Sequence, residues 1–251
     1  MSKSAKKGEE TVVCVNCGTR LNTLYIQYSP GNIRLMKCDN CKAVADPYIE
    51  CEFMIILIDL ILHKPKAYRH LLYNMLSFKS EDIKHFTSHL QPQTSGTIWK
   101  SALLFLLLDA IRVFLLKRFN DDYGNSFLSM PKCREVFLDV LLGNIVFIVV
   151  LLLGTRFFVN CSLPITSYLE ILLAVFVSSF FKVYLVAMMV WEFPSAVLYI
   201  IEMFVLSSNA VAFRVSTQQE AIRCISICLS AHAAKFLVDY WLLSLLPSSS
   251  R

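Results

Sequence analysis

Cys14-Val15-Asn16-Cys17, twenty further residues, and Cys38-Asp39-Asn40-Cys41 make two C-x₂-C knuckles, and a second unusual stretch, Phe53 to Asn74, follows closely behind them. That stretch opens with the ten residues Phe53 to Leu62, apolar but for Asp59. It breaks at His63-Lys64-Pro65 and continues as Lys66-Ala67-Tyr68-Arg69-His70-Leu71-Leu72-Tyr73-Asn74. Two such knuckles brought together make a tetrahedral four-sulfur site, for which thiolate softness and geometry favour zinc, with iron as the redox-capable second choice. Four protein ligands leave the ion no open position, so Cys14, Cys17, Cys38 and Cys41 are expected to hold a structural zinc. Its binding would supply on the order of 10 kcal/mol or more to folding. Two disulfides or a redox pair is the competing reading. A redox C-x-x-C normally opens a helix in a βαβ unit, and that pattern is not found here.

Between the knuckles, Leu24, Ile26 and Tyr28 alternate with Tyr25 and Gln27, and Ile33 and Leu35 alternate with Arg34 and Met36. Ser29-Pro30-Gly31-Asn32 lies between these runs as a turn signal, which predicts a β-hairpin whose far strand delivers Cys38 to the first knuckle. Residues 12–48 therefore read as a zinc-ribbon-like module behind a disordered, lysine-rich tail, 1–11. That tail lacks the apolar core of a signal peptide, so insertion is expected to begin internally and to leave the module in the cytosol. Nine cysteines, an odd number, argue against a fully paired disulfide framework and fit a reducing compartment.

The apolar run reaches about 15 Å as a helix, half of a bilayer's hydrocarbon core, so it cannot span alone and reads as interfacial. Pro65 suits the first turn of a new helix. In that helix Tyr68, Leu71, Leu72, Met75 and Leu76 fall on one face, with Lys66, Arg69, His70 and Asn74 on the other. A basic amphipathic helix of this kind lies at a headgroup boundary. Loose sterol-contact patterns around Tyr68 and Tyr73 also fit, although a solvated basic face would give the same letters. Residues 49–90 are thus taken as interfacial helices, and 91–96 as a linker.

The rest of the chain is membrane-like. Of 251 residues 56% are hydrophobic and 17% charged, against about a quarter charged in soluble domains, and mean hydropathy is +0.55. The net charge of +5 suits an anionic membrane face better than nucleic acid, which is not expected as a partner. Five apolar stretches, Ile98–Leu116, Val136–Leu153, Tyr168–Trp191, Ala196–Phe213 and Ile222–Leu246, have about the length of a spanning helix. They define a membrane domain of four to five helices over 98–246. The first carries Asp109 and Arg112 and has basic residues on both sides, so the positive-inside rule leaves its crossing open. Asp109 with Arg112, and Lys235 with Asp239, have the spacing to pair within their own helices. Lys182 and Glu202 are placed to pair between helices, and His232 reads as a hydrogen-bonded interior histidine.

The paired knuckles, the exit Tyr48-Ile49-Glu50 and the run from Ile58 to Asn74 closely resemble the Arv homology domain, over about Val12 to Leu76. The resemblance implies a polytopic α-helical membrane protein with a small N-terminal zinc-ribbon-like β domain. It would sit in the endoplasmic reticulum membrane and mediate intracellular lipid homeostasis. Such a protein would bind, move or distribute sterols, and possible further cargoes are sphingolipids or glycosylphosphatidylinositol intermediates. No catalytic residues carry over, and none of the five histidines opens a His-x₄-Asp pair, so an enzyme is not expected. The ligand set Cys14, Cys17, Cys38 and Cys41 does carry over. So does a lipid or membrane role for Asp59, Lys66, Tyr68, Arg69, His70, Tyr73 and Asn74. The alternative is a zinc-stabilised membrane scaffold that recruits lipid-synthesising enzymes.

Overall fold

The computed structural model describes residues 12–29, 31–76, 94–120, 130–158, 165–191, 194 and 196–245. The chain divides into two compact units, 1–93 and 94–251. The predicted tail, residues 77–90 of the predicted interfacial segment and 91–93 of the predicted linker lie outside the described residues. Thr94 to Gly96 already belong to a helix.

In the first unit β1 (Val12–Val13) pairs antiparallel with β2 (Arg20–Leu21), Val12 opposite Leu21 and Val13 opposite Arg20. The first knuckle is the loop between them. A second antiparallel pair joins β3 (Tyr25–Ser29) to β4 (Asn32–Leu35), with Tyr25 opposite Leu35 and Ile26 opposite Arg34. Gly31, at φ +82°, takes the left-handed position its turn requires, where a Cβ would be strained. The alternation behind this hairpin does not bury a face: Leu24 is buried, but Ile26 and Tyr28 are exposed. Leu24 joins Val12 and Ala45 in a core flanked by Leu21, Tyr25 and Ile49. A core this small cannot hold a fold by burial alone.

A 3₁₀ turn over Pro47–Glu50 leads to α1 (Phe53–Ile61). α1 ends in a Schellman motif: His63 N–H bonds the Leu60 carbonyl at 3.0 Å and Lys64 N–H the Asp59 carbonyl at 3.0 Å. His63 fills the left-handed position at φ +56°, where glycine is usual. Pro65 then sits in the first turn of α2 (Pro65–Arg69), which runs on as a π-type turn over His70–Met75. That turn packs against β1, which ties the segment after Pro65 to the knuckles within the first unit.

The described residues of the second unit form helices joined by short connections: α3 (Thr94–Asn120), α4 (Met130–Phe158), α5 (Ile165–Ser178), a 3₁₀ turn (Ser179–Val183), α6 (Tyr184–Val190), α7 (Ala196–Thr217) and α8 (Ala221–Leu245). Among the described residues, four stretches are long and apolar enough to cross a membrane: Phe137–Phe158, Tyr168–Ala187, Ala196–Thr217 and Ala221–Trp241. α4 packs closely along α8 because it presents glycines. A Cβ at Gly154 would stand 2.9 Å from Ile227 Cγ2, and one at Gly143 2.9 Å from Asp239 Oδ1. Small residues that let backbones approach are the usual means of joining membrane helices, since lipid leaves little hydrophobic drive between them.

Candidate functional site

The two knuckles have the same construction. Gly18 N–H bonds the Cys14 carbonyl at 2.9 Å, and Lys42 N–H bonds that of Cys38 at 2.8 Å. In each, the residue after the second cysteine is left-handed, Gly18 at φ +81° and Lys42 at +59°. Asn40 Nδ2 donates to Thr19 Oγ1 at 3.0 Å and ties one knuckle to the other. Cys14 Sγ lies 3.7 Å from Cys41 Sγ and Cys17 Sγ 3.6 Å from Cys38 Sγ, and all four sulfurs fall within 4.8 Å of one another.

These distances test the competing readings. A disulfide requires about 2.05 Å, and none of the four cysteines is in one. Metal–sulfur bonds of about 2.3 Å in a tetrahedron put the sulfurs about 3.8 Å apart, close to the spacing found. The donor set therefore fits a tetrahedral metal ion. Burial pushes the Cys14 thiol up to about 12, while the hydrogen bond with Thr19 brings Cys17 down to about 6 and the Asn16 side chain lowers Cys41. A cation would draw the remaining protons off, as metal binding to thiols does.

The segment after Pro65 braces this centre from behind. Arg69 Nη1 donates to the carbonyls of Val15 at 2.9 Å and Asn16 at 3.1 Å, inside the first knuckle. Asn74 pairs with Val13 as a strand neighbour would, accepting from its N–H at 2.9 Å and donating to its carbonyl at 3.0 Å. Asp46 is the hub. Its Oδ1 caps the 3₁₀ turn by accepting from Tyr48 N–H at 3.0 Å, and its Oδ2 accepts from His70 Nδ1 at 2.7 Å and Asn74 Nδ2 at 2.6 Å. The sequence reading passed over Asp46, although an Asp before Pro is a cap signature. Lys64 and Tyr48 donate to Asp59 at 2.7 Å each and, Lys64 more than Tyr48, hold its carboxyl below the usual range. Tyr68 is fully buried, its hydroxyl on the Leu60 carbonyl at 3.2 Å.

Of the expected lipid contacts, then, Tyr68, His70 and Asn74 lie inside the head. Asp59 is committed to two partners, Arg69 and Tyr73 are half-buried, and Lys66 is exposed. Of the polar side of this helix, His70 and Asn74 face inward and Arg69 does so in part, because the neighbouring surface consists of backbone carbonyls and a carboxylate that need donors, while Lys66 stays exposed. The exposed apolar surface belongs to α1 instead: Phe53, Met54, Ile55, Ile58 and Leu62 all face outward.

The second unit contains a buried ion network. Asp109 Oδ1 accepts from Lys182 Nζ at 3.0 Å and Arg112 Nε at 3.2 Å, and Oδ2 from Lys235 Nζ at 2.6 Å and Asn144 Nδ2 at 2.7 Å. Arg112 also donates to Asp239 and stands 3.3 Å from Glu202 Oε1. Three cations and three anions cancel. The pairing within Asp109–Arg112 is present. Lys235, however, reaches Asp109 rather than Asp239, and Lys182 reaches Asp109 rather than Glu202, because helix packing offers closer partners than helical spacing does. His232 Nε2 meets Asn209 Nδ2 at 3.2 Å. Cys224 and Cys228 are buried.

Head and helices together define a polytopic α-helical membrane protein that carries a small N-terminal β module with a cysteine cluster. A profile of the Arv1-like family matches residues 13–213, and the chain belongs to that family. It is 46% identical to Protein ARV 2 of Arabidopsis thaliana over 92% of this chain and 94% of that protein. It is 44% identical to Protein ARV 1 of the same plant over 90% of this chain and 86% of the relative. Protein ARV1 of Homo sapiens is 29% identical over 81% of this chain and 71% of its own length. No solved structure matches.

Proposed function

We propose that this protein mediates lipid homeostasis at the endoplasmic reticulum membrane by binding or distributing lipid, sterol above all, without catalysing a reaction. Cys14, Cys17, Cys38 and Cys41 would hold zinc, which supplies rigidity and no reaction chemistry. The observation that carries the reading is the outward apolar row of α1, with Phe53 65% and Leu62 60% exposed beside the exposed Lys64 and Lys66. Large apolar residues flanked by lysines are the combination that inserts at the surface of an anionic bilayer. The metal-braced fold makes this row rigid, so little ordering cost offsets insertion.

The test uses the full chain in cells that lack the endogenous protein. Phe53→Ser, Ile58→Ser and Leu62→Ser together should leave abundance and metal content unchanged while sterol distribution fails. On a 1–93 fragment the same changes should weaken binding to anionic vesicles by more than about a hundredfold, at roughly 1–2 kcal/mol per large apolar side chain. Normal sterol distribution with all three changes would refute the reading.

The scaffold reading has its own observation, the protruding β3–β4 hairpin with Ile26 and Tyr28 exposed. Lipid transfer by the purified protein between vesicles separates the two, since a scaffold should do nothing without its enzymes.

A further inference from the structure

We propose that Glu202 and His232, on α7 and α8, form a lateral site that binds the hydroxyl of a neutral membrane lipid within the helical unit. The inference rests on the lipid-handling reading and deepens it.

Glu202 is the anomaly of the ion network. Its Oε1 is buried without a hydrogen-bond partner, and its side chain as a whole is 29% exposed. Arg112 stands within ion-pair range without donating to it. Neither carboxylate oxygen accepts a hydrogen bond among the described residues; Oε1 is closed off beside Arg112, and Oε2 is the oxygen turned toward His232, so a donor from outside the chain at Oε2 lowers the cost of holding this carboxylate among membrane helices.

The neighbouring side chains specify the donor. Asn209 Oδ1 accepts from the hydroxyls of Ser178 at 2.7 Å and Ser179 at 3.1 Å, so its Nδ2 is the donor facing His232 Nε2 at 3.2 Å. An accepting Nε2 makes His232 the neutral tautomer with its proton on Nδ1. That Nδ1 lies 4.0 Å from Glu202 Oε2, too far to hydrogen-bond. One oxygen at about 2.8 Å from both would subtend roughly 90°, accepting from the imidazole and donating to the carboxylate. A hydroxyl does both.

Charge and depth exclude the other headgroups. The six ions of the network already cancel, so an ammonium would leave one positive charge in excess and a phosphodiester one negative. Glu202 is six residues into its span, about 9 Å below the helix start, where a charge is expensive and a hydroxyl is tolerated. Glu202 and His232 are partly exposed on helices long and apolar enough to cross a membrane, so the hydroxyl arrives on a hydrophobic molecule. A sterol, a diacylglycerol and a ceramide share this chemistry.

The experiment uses the full-length protein in phosphatidylcholine nanodiscs containing trace diazirine-bearing sterol, diacylglycerol, ceramide or phosphatidylcholine. At least one hydroxyl lipid should label α7 or α8 peptides around Glu202 or His232, and the identity of that lipid names the source. Phosphatidylcholine should not label there. Excess of the same unlabelled hydroxyl lipid should suppress labelling, and its methyl ether should compete about tenfold more weakly, the worth of one hydrogen bond to a charged group. This comparison needs no variant. Glu202→Leu and His232→Phe, where they melt as the parent does, should give the same loss. Equal labelling by phosphatidylcholine, or equal competition by the methyl ether, would show that water fills the gap and overturn the proposal. Hydroxyl-selective labelling elsewhere in the protein would also overturn the site, yet leave lipid handling standing.

Discussion

Replacing Asn74 with alanine should weaken metal binding although Asn74 is not a ligand. The change removes three buried hydrogen bonds, two to the Val13 backbone at 2.9 and 3.0 Å and one to Asp46 at 2.6 Å. Val13 is itself buried, so its N–H and carbonyl lose their partner on that side. Each unsatisfied group costs roughly 1–3 kcal/mol, and some water will enter the space, so about 3 kcal/mol is a fair net figure. The head's small core holds little reserve against that loss. Folding and metal binding are one equilibrium in such modules, so about 3 kcal/mol becomes roughly a hundredfold in apparent affinity. The assay is competition for zinc against a chromophoric chelator, with the full chain in mild detergent at fixed pH. Lys66→Gln, exposed on the same helix, is the control and should change nothing. If Asn74→Ala binds zinc within about threefold of the parent, far short of the hundredfold, the segment after Pro65 does not brace the metal centre.

The left-handed residues offer a gain: Lys42→Gly and His63→Gly should each stabilise the head by about 0.5–1 kcal/mol, read as resistance to chelator-induced unfolding, because each relieves a Cβ from a disfavoured conformation. Gly143→Ala should lower the detergent melting temperature by an amount that corresponds to about 1–3 kcal/mol, since the new methyl would displace Asp239 from Arg112, and a neutral result would mean that α4 and α8 approach less closely. Asp109→Asn should cost about 3–5 kcal/mol, more than Lys182→Met or Lys235→Met alone, because three cations share that one carboxylate. Equal losses from all three would argue against its central place.

Local chemistry in the sequence pointed to much of this architecture. Cysteine spacing located the four sulfurs, Ser29 to Asn32 marked the β3–β4 turn, Pro65 marked the start of α2, and the described residues of the apolar stretches in the second half fall on α3 to α8, with Trp191 just past the end of α6. Packing partners were not legible. Periodicity after Pro65 pointed the apolar side of the helix toward a surface, whereas the fold turns His70 and Asn74 inward. The cause is Asp46 and Val13, far away in sequence, whose polar groups are satisfied by that face, and the π-type turn over His70–Met75 lets both residues reach it. Ion pairing failed for a related reason. Spacing finds partners on one helix, but Lys182 and Lys235 meet on Asp109 from separate helices.

The same fact changes the standing of α3. Asp109 and Arg112 make it the least membrane-like of the long helices by composition, and it is absent from the four stretches apolar enough to cross. Yet Phe105, Leu108, Asp109, Arg112, Val113 and Leu115 are all buried, and the helix packs on α4, α5 and α6. Its two charges meet Lys182, Lys235, Glu202 and Asp239, each of which would cost several kcal/mol in a low-dielectric interior if left alone. Without α3, Lys182 and Lys235 lose their shared carboxylate, and Glu202 and Asp239 lose the guanidinium that bridges them. A charged helix is thus what makes the charges on its apolar neighbours tolerable, and the six ions balance only when α3 joins the 3₁₀ turn, α7 and α8.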